Sequence, residues 1–463
     1  MSFVEKNNQN SNYSLHCRWM VALLILLHGM LAAQVNRPPT YMVKNNAPQG
    51  PGFYFLTALK PVANSTITTE PYYNMILDKN GELLYFKRFP GTFRTCDFKL
   101  QPNGKMSYFS RDKFYIMNQD FNVVDSVYCK NGLQTDNHEL LFLPNGHYAL
   151  LGVETSTVNL SPYKVFNHMK SAGSTTALVL SGVIQEQDAE KNVVFEWHSK
   201  DHFDFMDVDT FFISDPTKVD WTHFNALHAD KDGNYIVSVR HFSEITKIKR
   251  ADSSIIWRMG GLKNQFQFIN DPKSFTGQHD VRRIANGNIS LFDNGRDQGE
   301  LHPATAKEYR IHEKKHTATL VWKLVNDPEA HSVKGLGNVQ RLSEGNTLIN
   351  YGTSNSSTVL FNIHTTAGKN IFEISFSDTL RSYRVYHSPK LPWALKRPTI
   401  TFIVKNGKQF LSAENGYSSY QWNTGARTQT IEVTQPGSYC VWVPAGKGGL
   451  TSSLFFTVKK PTH

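Results

Sequence analysis

HELLFLPNGHYALLG, residues 138–152, reads as a polar strand, an Asn-Gly turn and a second, apolar strand. Asn-Gly between two β-rich runs is a strong hairpin signal, because the turn needs positive φ. Outward from it, the unit recurs as DFKLQPNGKMSYFS (97–110), NALHADKDGNYIVSVR (225–240), HDVRRIANGNISLFD (279–293) and GNVQRLSEGNTLINYG (337–352). The turn glycines are Gly104, Gly146, Gly233, Gly287 and Gly345, at gaps of 42, 87, 54 and 58 residues. Between these units lie strands ending in tryptophan: VVFEW at Trp197, SIIW at Trp257 and LVW at Trp322, 60 and 65 residues apart. A turn followed by a late Trp strand, recurring roughly every 55 residues, is the pattern of a β-propeller blade. ILDKNGELLYFKRF (76–89) adds one more Asn-Gly hairpin. The expected fold is all-β: a six-bladed β-propeller followed by a small immunoglobulin-like β-sandwich. Five or seven blades fit the same gaps. The long gap is expected to hold an insertion near 154–190 or a loop with its own hairpin.

The composition agrees. Of 463 residues, 40% are hydrophobic, 12% aromatic and 19% charged. That excludes a disordered, collagen-like or coiled-coil chain. The formal charge is +10, yet no Lys/Arg run reaches five residues, so no nucleic-acid partner is expected. The excess suits a basic pocket or simply a basic surface. Arg18, then MVALLILLHGMLAA (20–33), has the form of a signal peptide, with cleavage after Ala33. The expected order is a signal peptide (1–33), an N-terminal extension (34–70), the propeller (71–388), then a Pro-marked linker and immunoglobulin-like domain (389–463). The protein is expected to be exported, to the periplasm, cell surface or medium of a bacterium, with no membrane anchor after cleavage. Cys96, Cys129 and Cys440 follow the signal; Cys96 and Cys129 pair, or all three are buried thiols.

The histidines carry the chemistry. His138 and His279 each lie eight residues before their turn glycine; so does Asn225, with His223 two further back. Residues two apart on a strand share a face, so His223 and Asn225 are expected to point the same way. Innermost strands line a propeller's channel, so polar residues at one repeat phase converge near its axis. Arg240 ends the strand after the Asp-Gly turn and brings a cationic fork to the same place. Three imidazoles suit zinc or copper, but a neighbouring Arg disfavours a metal. Arg, Asn and His also donate to a sulfate or phosphate ester, while a neutral His can attack sulfur or phosphorus. Spacing alone does not choose between these.

DWTHFNALHADKDGNYIVSVR (220–240) followed by FTGQHDVRRIANGNISLFDNG (275–295) resembles the bacterial arylsulfate sulfotransferase family. GPGFYFLT (50–57), NMILDKNGELLYF (74–86) and TDNHELLFLPNGHYALLG (135–152) fit the same pattern, over about residues 40–385. The resemblance implies a six-bladed propeller with its site in the central channel. It implies sulfuryl transfer from an aryl sulfate donor to a phenolic acceptor, both small molecules, through a sulfohistidine and without a nucleotide. By motif, His279 is then the catalytic nucleophile. His223, Asn225 and Arg240 hold the sulfuryl oxygens, and His138 completes the cradle or serves proton transfer. No metal and no other cofactor is expected; no P-loop is visible. Two departures stand out. Family members carry a sizeable N-terminal β domain used in dimerisation, whereas only about 35 residues are expected here between Gln34 and the first blade, so dimerisation is not expected and the oligomeric state is left open. A Thr contact from a later blade finds Gly337 and Asn338 instead. The competing readings are a non-catalytic ligand-binding propeller and a His-based metal-dependent hydrolase or lyase.

Overall fold

The structure, a computed structural model, describes residues 36–459 except 46, 48–49, 51, 60–69, 164–172, 214, 297–301, 326–334, 353–358, 377–379 and 395. The expected signal peptide lies outside the described residues. Among the described residues, no helix is long and apolar enough to cross a membrane.

The chain is all-β. Among the described residues, six sheets each contain four successive antiparallel strands, a simple meander in all but the first. In the second to sixth sheets the innermost strands are Thr95–Leu100, Gln134–Phe142, Phe224–Ala229, His279–Arg283 and Asn338–Arg341. Each runs through its expected turn into the next strand of its own sheet. The first sheet differs: its innermost strand is Arg381–Ser388, from late in the chain, paired with Phe53–Leu59 from early in it. Tyr41–Asn45 likewise adds to Asn370–Phe376 at the outer edge of the sixth sheet. Innermost strands of successive sheets touch in cyclic order, and Arg381–Ser388 closes the ring against Thr95–Leu100. This is propeller architecture, and closure removes the open edges that an extended array would leave.

Local chemistry explains the units. All five turn glycines have φ between +80° and +88°, a region that costs other residues steric strain. The Trp strands are the fourth counted from the innermost strand, at Val193–His198, Ile255–Gly260 and Thr317–Val325, with Gln267–Ile269 added in parallel outside the last. Trp197 Nε1 donates to Ser253 O at 2.9 Å, and Trp257 Nε1 to a Glu313 carboxylate oxygen at 3.0 Å. Each indole therefore ties its sheet to the next. At about 25 cal/mol per Å2 over roughly 200 Å2, each also contributes on the order of 5 kcal/mol before entropy is subtracted. Trp322 instead packs under the Arg341 guanidinium.

Four details depart from the sequence pattern. Phe53–Leu59 belongs to the first sheet, so that sheet begins before residue 71. It carries no Asn-Gly turn to reveal it, because its inner partner comes from the other end of the chain. The 76–89 hairpin joins the third and fourth strands of its sheet, out of phase with the other five. The extra length of the third unit lies in two eleven-residue strands, Tyr148–Val158 and Ala177–Gln187, and in the 3-10 turns after residue 198. Finally, the C-terminal strands are stitched onto the propeller. Gly449–Ser452 pairs with Leu83–Phe89, Trp442 packs edge-on against Phe86, and Arg397 meets Asp78 at 2.8 Å. Its own core is built on Leu411, Trp422, Val441 and Val443. Cys96, Cys129 and Cys440 are buried free thiols.

Candidate functional site

Five of the six innermost strands, or their pairing with the next strand, break register near the strand's start. The breaks fall at Cys96/Lys99, at Leu150/Gly152 opposite Thr135 to Leu140, at Phe224/Ala226, at His279/Arg282, and at Leu56/Ala58 opposite Ser382 to Val385. Bulges re-aim side chains and cluster beside functional sites. Asp97, His223 and Asp280 have positive φ at these breaks, as does Leu336 just before the sixth inner strand. Each such residue stores roughly 1–3 kcal/mol of strain.

His279 opens the fifth inner strand and is 2% exposed. Its Nδ1 lies 2.7 Å from Asn294 Oδ1 and 3.2 Å from Gly277 O. The Asn294 amide is oriented by its Nδ2, which donates to Leu336 O at 3.0 Å. Both neighbours of Nδ1 are acceptors, so we assign the ring hydrogen to Nδ1 and the lone pair to Nε2. That lone pair accepts the Leu336 N–H at 3.2 Å. Burial, then the Arg240 charge, hold the His279 pKa well below its ordinary value against the Asn294 bond, so the ring is neutral at pH 7.

His138 and His223 face one another, ring centres 5.2 Å apart. His138 Nδ1 is 2.5 Å from Asp136 Oδ1, and His223 Nδ1 is 2.5 Å from Asp220 Oδ2. Each carboxylate thus fixes the tautomer and leaves Nε2 available. Burial pushes the His138 pKa down, and the Asp136 charge only partly restores it. Burial pushes Asp136 and Asp220 up, but His138 and His223 outweigh it and hold both carboxyls below their ordinary range. Tyr383 lies against both His138 and His279, ring centres at 5.2 and 6.3 Å. Its hydroxyl donates to Asn225 O at 3.0 Å.

Arg240 begins the 3-10 turn Arg240–Phe242. Its guanidinium donates to His241 Nε2 at 2.7 Å and sits 4.9 Å from the Phe212 ring centre. Burial pushes its pKa down to about 10, opposed by Asp220 and reinforced by Arg296. Asp220, His223 and His241 bring potential metal ligands within 4.8 Å of one another. His241 does not suit that use: its Nδ1 faces Asp220 O at 2.5 Å while its Nε2 takes the Arg240 N–H. With both nitrogens engaged and a guanidinium alongside, the residues present do not fit a cation.

Asn225 departs from expectation. It sits at the register break, directly after His223 and Phe224, so the simple alternation of faces fails there. Its side chain is fully buried, and Nδ2 donates to Gln278 O at 2.7 Å. A cavity of about 640 Å3 opens onto His138, His223, Asp136 and Asp220, and is walled by Phe109, Leu180 and Phe224. His279, Asn225 and Arg240 do not line it. Below the histidines, the next residues of the same strands form a buried ionic layer. Arg384, wholly buried, meets Glu139 at 3.0 Å, Asp97 at 3.3 Å and Asp280 at 3.4 Å, while Lys99 and Arg282 complete the charge balance. Asn294, Asp136, Asp220, His241, Tyr383 and Arg384 were not singled out from the sequence. Asn294 had an available signal in the polar Asp-Asn-Gly that ends an otherwise apolar strand, and Asp136 and Asp220 in their places two and three residues before His138 and His223.

The family model described as Arylsulfotransferase (ASST) matches residues 40–387. The chain belongs to the arylsulfotransferase family. The match spans all six sheets and every residue of the site above. Among curated proteins, none matches. Similar solved structures include a protein of unknown function from Bacteroides caccae (12% identity, TM-score 0.45, 73% of this chain and 98% of that one). They also include a catalytically inactive virginiamycin B lyase from Staphylococcus aureus with quinupristin (9%, TM-score 0.36, 81% and 97%) and BamB from Moraxella catarrhalis (9%, TM-score 0.30, 80% and 97%). These likenesses are too distant to carry an argument.

Proposed function

We propose that this arylsulfotransferase-family chain moves a sulfuryl group from an aryl sulfate ester to a phenol by two displacements at His279. The observation that carries the reading is the neutral His279 ring, with Nδ1–H held by Asn294 and the lone pair on Nε2. In the first step Nε2 displaces the Leu336 N–H and attacks sulfur. The S–O bond to the aryl group breaks, and the phenolate leaves and takes a proton. In the second step the acceptor oxygen attacks sulfur, its proton is removed, and the N–S bond breaks. His138 and His223, whose Nδ1 atoms are tied to carboxylates, offer Nε2 lone pairs that accept the acceptor's proton in the second step, while the leaving phenolate of the first step takes its proton from water. Arg240 places fixed positive charge beside the transferring group, where preorganised donors stabilise its spread charge. Asn225 holds the site together mainly through Gln278 and its own carbonyl, with one amide hydrogen left for a sulfuryl oxygen. No nucleotide enters the scheme. The polar and apolar pattern of residues 1–33 supports export of the mature chain.

Initial rates with p-nitrophenyl sulfate and a varied phenol test this reading. Parallel double-reciprocal lines, abolished by His279→Ala, are the expected result. Intersecting lines, or a His279→Ala variant of unchanged rate, would exclude the covalent route.

A further inference from the structure

We propose that the cavity beside the histidines contains a second anion subsite, formed by Arg94, Arg111 and Lys218, and that the preferred substrates are aryl sulfates and phenols with another anionic group on the ring. The inference rests on the sulfotransferase reading and names its substrate class. At about 640 Å3 the cavity is within the usual range for a small-molecule site. Its walls carry aromatic and aliphatic surface for a ring, and the three cations line it as well.

The charge count decides the inference. Two carboxylates, Asp136 and Asp220, also line the cavity, but each is engaged with its histidine at 2.5 Å. Among the described residues neither Arg94 nor Arg111 forms an ion pair with an acid lining the cavity, while Lys218 acts on Asp215, which does not line it. Arg111 is nevertheless held: its guanidinium lies 3.3 Å from the Phe93 ring centre, and its backbone N–H donates to Arg94 O at 3.0 Å. Lys218 and Asp220 alternate with buried Val219 on one short strand, so both face away from the core while Asp220 grips His223. The Arg94 charge is close enough to depress the His138 pKa, behind the larger effects of burial and its other neighbours. The cavity therefore carries three cations against two carboxylates, a surplus of one positive charge on the walls it shares with His138 and His223. Arg240, which serves the sulfuryl group in this reading, does not line the cavity, so these cations answer a different anion. A carboxylate, sulfate or phosphate on the ring supplies the oxygens that Arg and Lys bind best.

The test compares 4-carboxyphenyl sulfate with its neutral isostere, 4-carbamoylphenyl sulfate, on the full chain. The expected kcat/KM ratio is on the order of tenfold in favour of the carboxylate, shrinking as salt is raised. Arg94→Gln with Arg111→Gln should bring the ratio towards one. A ratio near one in the unaltered protein would overturn the proposal. If neither ester turns over, the transferase reading fails, and calorimetric binding of the two esters decides the subsite alone: tighter binding of the carboxylate by about tenfold upholds it, and equal binding overturns it. Should the double variant misfold, Lys218→Gln on the edge strand gives the same comparison.

Discussion

Asn294→Ala removes the acceptor 2.7 Å from His279 Nδ1. Between neutral partners such a bond is worth about 0.5–1.5 kcal/mol net. As Nε2 bonds to sulfur the ring becomes cationic, and the same bond becomes charge-assisted, worth about 1.5–3 kcal/mol. The loss in the transition state therefore exceeds the ground-state loss by about 1–1.5 kcal/mol, or roughly tenfold in the rate of the first step. Weaker tautomer control adds to this, because only Gly277 O, at 3.2 Å, is then left to hold the Nδ1 hydrogen. The assay is the burst of nitrophenol from p-nitrophenyl sulfate without acceptor, followed against pH. Asn294→Asp supplies the opposite sign. Its carboxylate favours imidazolium and raises the His279 pKa, so the neutral nucleophile is lost at a higher pH as acid is added. The burst should then show an acid limb displaced upward, while Asn294→Ala shows a slower burst with no upward displacement. An Asn294→Ala protein that folds normally and keeps both burst rate and pH profile would refute the positioning role.

Four further outcomes follow from the geometry. Arg384→Ala should destabilise the protein by about 3–5 kcal/mol in urea titration, because it strands Glu139, Asp97 and Asp280 in a buried layer; a loss under 1 kcal/mol would contradict that layer's structural weight. Below pH ~6.5 the melting temperature should fall. His279, His241 and His138 have depressed pKa values when folded, so the unfolded chain binds more protons there, and stability present above the unfolded value erodes below it. A flat profile from pH 7.5 to 5.5 is the opposing result. Thiol titration of the mature chain should find no fast-reacting cysteine when native and three once denatured without reductant; one would mean a Cys96–Cys129 bond. Prolonged chelation should leave turnover unchanged, since His241 has no nitrogen free for a metal; loss of activity restored by zinc would reverse that conclusion.

Much of this fold was legible because the repeat is written in chemistry that has few alternatives. Asn-Gly, Asp-Gly and Glu-Gly mark turns needing positive φ, and a large indole marks the outer strand that closes on the next sheet. Strand Phe53–Leu59 was not legible, because its inner partner lies more than 300 residues away and no local turn joins them. The histidines emerged because His138 and His279 precede their turn glycines by eight residues and His223 lies two residues before the equivalent position, Asn225. What the spacing could not convey was how bulges re-aim them. Period-two alternation placed Asn225 and His223 on one face, yet the break between Phe224 and Ala226 separates their surroundings. The partners that tune the ring nitrogens, Asn294, Asp136 and Asp220, lie at no common repeat phase. Hydrogen-bond geometry assigns them, and one-dimensional spacing does not contain it.

The central claim is that sulfur becomes bonded to Nε2 of His279. The measurement is peptide mass spectrometry of the mature protein quenched within the burst, with p-nitrophenyl sulfate and no acceptor. The account predicts about one equivalent of nitrophenol and a sulfuryl adduct on the peptide containing His279, discharged when a phenol is added. A burst with the adduct on His138 or His223, or steady nitrophenol release with no adduct on any histidine, would contradict it.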